Sequence, residues 1–394
     1  YITVFSEEEG KLKYKAVTWP NACFKLFAEI IANASDNIIR TREYNSKLKR
    51  NELAVPLGKI KVTMDSTKIS VENQGLPINT KYLEEYKVYN PDLIFGEFLS
   101  GTNYEDERTG AGQNGIGAKA TNIFSKKFVV KIENQPQGTI YEQTWTENMR
   151  KKNPEPEIIK NQVLKESRTT VTYWFDFDKV PSLGNIKKYP EEVFEIYKGY
   201  CASIANACKV PIIFNKTTFD FKNIVDYCSL FYNNINDIKH NSILPFNYIT
   251  YYAWPNKTDV MNHKNLSQTS KDGNTMPDIE AIVIDEMEES EKEEKIEKIK
   301  DSYVNGIPTI HGGIHYDGFS NVIRKKIADT YNLMMTKTTK KDQSKEKDST
   351  TLITITNVSK LIKIIIFINN VVNPEFDSQT KTKLTGIGGK SRSV

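Results

Sequence analysis

Residues 110–119 read GAGQNGIGAK, with four glycines in ten positions. Glycine loses more backbone freedom on folding than any other residue, so a run this dense needs a specific cause. The usual cause is a loop whose backbone N–H groups gather closely around phosphate. Two familiar phosphate loops do not fit. A Walker A loop needs Gly-x4-Gly-Lys-Ser/Thr. Here Gly112-x4-Gly117 continues as Ala118-Lys119-Ala120, which sets the Lys one place late and leaves no hydroxyl for magnesium. Gly110, Gly112 and Gly115 match the dinucleotide spacing G-x-G-x-x-G. That pattern requires a buried strand just before it, and the polar, acidic SGTNYEDERT stands there instead. The loop type has to be decided by the rest of the chain.

With 394 residues, 38% hydrophobic and 26% charged, the chain is long enough for two or three ordinary cores and has a globular composition. Its formal charge of +4 is too small to identify a nucleic-acid partner, so any basic footprint must be local. Cys23, Cys201, Cys208 and Cys228 include no CxxC pair, and they read as buried core thiols of a reducing compartment. The four histidines have no metal-ligand spacing. No signal peptide is visible and no apolar run approaches 18 residues; IIIFINNVV at 364–372 reads as a buried strand. The start at Tyr1 without Met leads us to expect a piece of a longer protein.

Along the chain, residues 20–42 predict a long helix with Phe24, Phe27, Ile31 and Ile38 facing a core. Residues 59–72 alternate around the turn DST and predict a hairpin. Loop-like sequence then continues through the glycine run. FVVKI and TIYEQTW predict strands around NQPQG, TTVTYWF another strand, 190–209 a helix, and VPIIFN with NKTTF a hairpin. One layer of helix over one layer of antiparallel sheet makes an α+β sandwich. A polar stretch around 230–275 places the boundary at 232/233, giving domains 1–232 and 233–394. Beyond it, DIEAIVID predicts a strand, the acidic–basic mixture at 285–301 a solvated helix, and 316–335 a helix. Residues 336–350 predict a low-complexity Lys/Thr/Ser loop, and 361–372 a strand. The second unit thus reads strand–helix–strand with long polar insertions.

The first helix carries Glu29, Asn33 and Asn37 at i, i+4, i+8, with Asp36 beside them, so one face is polar in an unusual way. Helix interiors disfavour Asn and Asp, and a plain solvent face more often uses Lys, Glu and Gln. Together with Asn73-Gln-Gly-Leu-Pro77 and Gly112–Lys119, this order resembles the Bergerat (GHKL) ATP fold of gyrase, Hsp90, MutL and histidine kinases. EIIANASDN (29–37), PDLIFGEFLSGTNYEDE (91–107), GQNGIGAKATNIFS (112–125) and NPEFDSQTK (373–381) are similar to the ATPase region of eukaryotic-type DNA topoisomerase II. SYVNGIPTIHGGIHYD (302–317) is similar to the transducer domain of the same family. The blocks span nearly the whole chain in order, which is far more specific than any single glycine motif. Their drift from cellular sequences points to a large DNA virus, hence the host cytoplasm; a cellular source would place the protein in the nucleus.

The resemblance implies a two-layer GHKL sandwich followed by a transducer domain, with ATP and Mg²⁺ as ligands. Glu29 would orient or deprotonate the water that attacks the terminal phosphate. Asn33 would hold Mg²⁺ through its amide oxygen, with Asp36 and Asn37 on the same nucleotide face. Asn73 would read the adenine edge, and Gly101, Thr102 and Asn103 would contact ribose and phosphate. Gly112, Gln113, Asn114, Gly115, Ile116, Gly117, Ala118 and Lys119 would wrap the triphosphate as an ATP lid. From the second domain, Gln379, Thr380 and Lys381 would reach the terminal phosphate, so that ATP clamps two domains together and closes a homodimer around a DNA duplex.

Departures from the family pattern fall on the site itself. The loop 73–77 is two residues shorter than the usual NNGKGIP, Gln113 replaces an Arg, and Ile116 an aromatic. No swapped N-terminal arm is seen before Tyr1, which is expected to weaken dimerisation. Toprim and nucleophilic-Tyr sequences are not seen, so this chain alone is not expected to cut DNA. Other features read as structural: Asp176-x-Asp178 ends a strand without its partner Glu block, and His311 and His315 flank a Gly312-Gly313 turn. Lys325, Lys326, Lys337, Lys340 and Lys341 form a local basic patch, either a solvated surface or a contact for DNA phosphates. Two rival readings are another GHKL ATPase, such as a chaperone or mismatch-repair clamp, and a nucleotide-gated dimer module that does not hydrolyse.

Overall fold

The computed structural model describes residues 2–97, 116–231, 248–253, 278–285, 300–341, 352–369, 371, 373–378 and 381–387. It divides into two compact units, Ile2–Asn223 and Ile224–Val394.

The first unit opens with a hairpin of β1 (Ile2–Ser6) and β2 (Lys11–Lys15). Pro20, extended at φ −60°, then starts α1 (Asn21–Ser46). Cys23, Phe27, Ile30, Ile31, Ala34 and Ile38 recur at three- and four-residue steps and are all buried, which is the stripe a core-facing helix needs. Phe24 is only half-buried and leans on the rings of Tyr197 and Tyr200.

β3 (Ile60–Met64) and β4 (Lys68–Gln74) form the expected hairpin. The Asp65 carboxylate closes its turn by accepting from the backbone N–H of Thr67 and Lys68, both at 2.9 Å. The stretch that reads as loop holds three short elements, β5 (Tyr82–Leu83), β6 (Val88–Tyr89) and α2 (Asn90–Phe95). Asn90-Pro91 is a start signal, since proline fits the first helical turn. After the glycine run comes α3 (Gly117–Ile123), so Gly117, Ala118 and Lys119 are helical rather than loop.

The sheet continues with β7 (Ser125–Asn134), β8 (Thr139–Thr146), β9 (Lys151–Lys152), β10 (Glu157–Ile159) and β11 (Arg168–Phe175). α4 (Glu191–Cys208) then leads to β12 (Ile212–Phe214) and β13 (Thr217–Phe219). Among the described residues the sheet has the order β10-β8-β7-β11-β4-β3-β12-β13, with β9 on β8. Inward positions alternate: Ile60, Val62 and Met64 on β3, and Phe128, Val130 and Ile132 on β7, are all buried. α1 and α4 cover this unit's core, and the ring of Phe27 stacks on Tyr197 with centroids 4.1 Å apart.

The sheet is mixed and not purely antiparallel. β12 pairs parallel to β3, Ile212 opposite Ile60, because the crossover through α4 returns the chain in the same direction. Local pattern reveals hairpins but not where a crossover lands.

The second unit begins at α5 (Ile224–Cys228), ahead of the polar stretch at 230–275, because Ile224, Tyr227 and Cys228 are buried in its core. β14 (Tyr248–Ala253), β15 (Asp278–Asp285), β16 (Asp301–Val304), β17 (Ile307–Pro308) and β18 (Ile362–Asn369) form a mixed sheet in the order β14-β15-β18-β16-β17. β18 is buried on both faces. Ile362, Ile364, Ile366 and Ile368 join one cluster with Tyr316, Ile327 and Ala328 of the helix α6 (Ile314–Lys341). On the other face Phe367 stacks on Tyr303 at 4.2 Å. The short α7 (Ile355–Ser359) has a capping box from Thr354, and β19 (Pro374–Phe376) pairs with β20 (Leu384–Ile387).

α6 runs further than its pattern indicates: Thr336, expected in a loop, is helical, and the helix is described through Lys341. Lysine is a good helix former, no glycine or proline interrupts, and Thr336 satisfies its own hydroxyl on the Asn332 carbonyl at 3.0 Å. Of residues 285–301, expected as a helix, 286–299 lie outside the described residues, and Asp285 and Asp301 belong to β15 and β16. All four cysteines are buried free thiols, and burial pushes Cys23 up to about 11 and Cys208 to about 12. Among the described residues no helix is long and apolar enough to cross a membrane.

Candidate nucleotide site

The polar face of α1 meets the sheet where β4 and β11 lie side by side. Asn33 is exposed, Glu29 and Asp36 are half-buried, and Asn37 is buried. Asn37 ties elements together: its Nδ2 donates to the Leu76 carbonyl at 2.8 Å, and its Oδ1 accepts from Asn73 Nδ2 at 3.0 Å. Thr41, one turn on, accepts from Leu76 N–H at 3.0 Å. Asn73 of the strand and Leu76 of the turn are thus fixed against the helix by side-chain amides and a hydroxyl.

Asn73 occupies an inward position of β4, in the row of Ile69 and Val71. Directly across from it on β11 stands Thr169, in the inward row of Val171, Tyr173 and Phe175. The Thr169 hydroxyl is buried and finds no hydrogen-bond partner among the described residues. A buried hydroxyl without a partner is costly, so this one is available to a ligand or a water. Sequence reasoning passed over Thr169. The signal was legible: a polar residue in the inward register of an otherwise apolar strand.

The end of the glycine run also comes to α1. Gly117 packs so closely on Glu29 that a Cβ there would overlap the carboxylate. This close approach accounts for one glycine of the run. Thr121 Oγ1 donates to the Leu26 carbonyl at 3.0 Å, holding α3 beside α1, and Asn122 Nδ2 donates to the Phe95 carbonyl at 3.0 Å, holding α2. Asp92 of α2 is buried and accepts from Lys152 Nζ at 3.1 Å. The elements on either side of residues 98–115 are therefore anchored. Ala118 and Lys119 are buried and Ile116 is exposed. Burial pushes the Lys119 ammonium pKa down, against an opposing pull from Glu97.

The structure thus brings Glu29, Asn37, Asn73, Gly117 and Thr169 to the α1 side of one sheet. Gly101, Thr102, Asn103, Gly112, Gln113, Asn114, Gly115, Gln379 and Thr380 lie outside the described residues. Lys381 belongs to the second unit, where it is buried with a left-handed backbone at φ 54°. Among the described residues no cluster of three or more His, Cys, Asp or Glu could hold a metal. Asp176 instead caps a 3-10 turn through Asp178 N–H and accepts from Asn148, while Asp178 pairs with Lys126 and Lys187. His311 N–H donates to the Thr382 carbonyl at 2.9 Å, and the buried His315 ring contacts Thr309 Oγ1 at 3.4 Å. Lys325 and Lys326 are exposed on α6; the side chains of Lys337, Lys340 and Lys341 are not described.

Known proteins with this fold and sequence give the site its context. The chain is 29% identical over 386 residues to DNA topoisomerase 2 of Pisum sativum, covering 96% of this chain and 22% of that protein. It is 25% identical to DNA topoisomerase 2 of Acanthamoeba polyphaga mimivirus, covering 96% of this chain and 25% of that protein. Over nearly its whole length the chain is thus similar to a quarter or so of DNA topoisomerase 2 proteins. The family description of DNA gyrase B matches residues 248–390. The ATPase region of Saccharomyces cerevisiae topoisomerase II shares the fold at a TM-score of 0.68, with 23% identity over 98% of this chain and 83% of that one. The ATPase and transducer domains of DNA topoisomerase II from Balamuthia mandrillaris match at a TM-score of 0.69 and 22% identity, covering 99% of this chain and 84% of that one. The fold is therefore the α+β GHKL sandwich with a transducer unit. The chain spans about a quarter of the length of the curated topoisomerases it matches.

Proposed function

We propose that this chain is the ATP-binding and hydrolysing gate of a type II DNA topoisomerase, with a GHKL domain at 1–232 and a transducer at 233–394. The observation that carries the reading is the meeting of Glu29 with Gly117. A half-buried carboxylate and the last glycine of a phosphate-type loop, far apart in sequence, occupy one place. In this reading Asn73 and Thr169 form the adenine floor: an amide that both donates and accepts, beside a hydroxyl in need of a partner. The residues fit a magnesium-bound triphosphate. Asn33 offers a neutral amide oxygen, which suits a cation that takes its anionic ligands from phosphate. Magnesium, when bound, neutralises charge that builds on the phosphates. Glu29 positions the attacking water and takes its proton. Asp36 and Asn37 shape the nucleotide face, and residues 101–103 and 112–119 close over the phosphates.

Lys381, with Gln379 and Thr380, supplies a point charge to the terminal phosphate from the second unit. Nucleotide binding then links the two units, drives a homodimer shut around a DNA duplex, and hydrolysis releases it. A mimivirus protein among the relatives supports a viral source, and the proposed location is then the host cytoplasm. Glu29→Gln tests the reading. It should bind a non-hydrolysable ATP analogue normally and hydrolyse ATP at least about tenfold more slowly, within the usual contribution of a general base. Near-normal turnover would remove Glu29 from its role.

A further inference from the structure

An exposed carboxylate ties together the described residues on either side of Lys381. Asp377 Oδ1 accepts from the Lys383 N–H at 3.0 Å, and Oδ2 accepts from Thr382 Oγ1 at 2.8 Å. The Asp377 N–H donates in turn to the Lys383 carbonyl at 3.0 Å, and the Lys381 N–H to the Ser378 carbonyl at 3.0 Å. Lys381 takes the left-handed conformation inside this ring, at φ 54°, a region that side chains with a Cβ adopt only when their surroundings impose it. Burial pushes the Asp377 carboxyl up, and the bonds from Thr382 and Lys383 outweigh it, so its pKa is held below the ordinary value.

The far end of the loop is docked on a rigid turn. Leu384 N–H donates to the Gly312 carbonyl at 3.1 Å, and His311 N–H to the Thr382 carbonyl at 2.9 Å. Gly313, at φ +133°, lies so close to Leu384 that a Cβ would overlap its carbonyl and stand 2.6 Å from its nitrogen. The Gly313 carbonyl also accepts from Asp317 N–H at 2.9 Å, in the first turn of α6. Thr309 and Leu384 are fully buried beneath this joint, so it has little freedom.

We propose that Asp377 is a positioning residue for Lys381: it fixes the loop backbone on the Gly312-Gly313 platform so that the lysine amine is presented in one direction. The proposal rests on the reading that this amine meets the terminal phosphate. Asp377 itself is exposed and packs against no core, so its bonds serve the shape of this loop rather than the stability of the unit.

The test measures ATP turnover and the affinity for a non-hydrolysable ATP analogue in the full chain carrying Asp377→Ala, Asp377→Asn, Lys381→Ala, and the Asp377→Ala/Lys381→Ala pair. Asp377→Ala should lower kcat by about tenfold, the scale of a modest misplacement, with analogue affinity within about twofold of the parent. Asp377→Asn keeps an acceptor for Lys383 N–H and offers its amide to the Thr382 hydroxyl, so it should recover most of kcat. The double variant should be no slower than Lys381→Ala alone, since both changes remove the same interaction. Normal kcat in Asp377→Ala, equal losses of affinity and kcat, or additive losses in the pair would each overturn the positioning role. Normal turnover in Lys381→Ala would instead remove the underlying reading of the lysine, and the proposal with it.

Discussion

Thr169 and Asn73 are polar residues facing inward on strands that are otherwise core. Both sit in inward rows, where Val or Ile would pack at no polar cost, and Thr169 leaves its hydroxyl unbonded among the described residues. Replacing it with the near-isosteric valine removes a desolvated group, so Thr169→Val should hold or raise stability by up to about 1 kcal/mol. The same change should weaken ATP-analogue binding by about tenfold, the order of one hydrogen bond, as calorimetry would show. A stability loss with unchanged affinity would make the hydroxyl structural. His315 has the opposite character. Burial depresses its pKa to about 4 from 6.5, with Asp317 raising it and Lys300 lowering it less strongly. The unfolded chain therefore takes up this proton near pH 6.5, while the folded chain resists until about 4. The stability it provides is complete above 6.5 and falls by up to about 3 kcal/mol as pH drops to 4. Urea unfolding across that window should lose this part of its pH dependence in His315→Gln.

At the level of elements, α1 has two jobs on opposite faces. Its apolar stripe packs the helix on the core, and its Asn-rich face carries polar geometry, with Asn37 and Thr41 also tying the helix to Asn73 and Leu76. Phe27 is fully buried and stacked on Tyr197 of α4. Phe27→Ala should cost about 3–5 kcal/mol by chemical denaturation, through lost burial and the cavity left behind. A loss below about 1 kcal/mol would mean that the helix pair repacks freely. Elements also mark the limits of pattern reading. α1, α4, the β3–β4 hairpin and β18 were legible because each is long, or alternates cleanly, or has turn residues at its ends. α2 and the short β5–β6 pair were not, since six residues or fewer give no period to count. The end of α6 was misread because lysine and threonine in a row resemble a linker until the hydroxyls are seen to bond back to the helix.

At the scale of the whole molecule, the net charge of +4 is too small for a general attraction to DNA, so the proposed contact would have to be local. Lys325 and Lys326 are exposed side by side on α6. If they neutralise DNA phosphates, changing both to Gln should weaken duplex binding and flatten the log–log salt dependence by about 1 for each lysine. Fluorescence anisotropy at several salt concentrations would measure this, and an unchanged slope would reduce the pair to a solvated surface.

The sequence by itself determined that this chain has an α+β GHKL-type unit followed by a second unit. It did so because ordered motifs with fixed residue types, from the Glu29 helix to the 373–381 loop, survive when overall identity is low. It also marked most of the candidate residues, since an Asn-rich helix face and a dense glycine run both violate local propensity. Only the tertiary structure decided which of those residues meet. It placed Gly117 against Glu29, put Thr169 beside Asn73, turned Asn37 into a tie between helix and strand, and ran β12 parallel to β3. These are contacts between distant segments, set by strand register and helix packing, and one-dimensional pattern encodes neither the register of non-adjacent strands nor the place where a crossover returns.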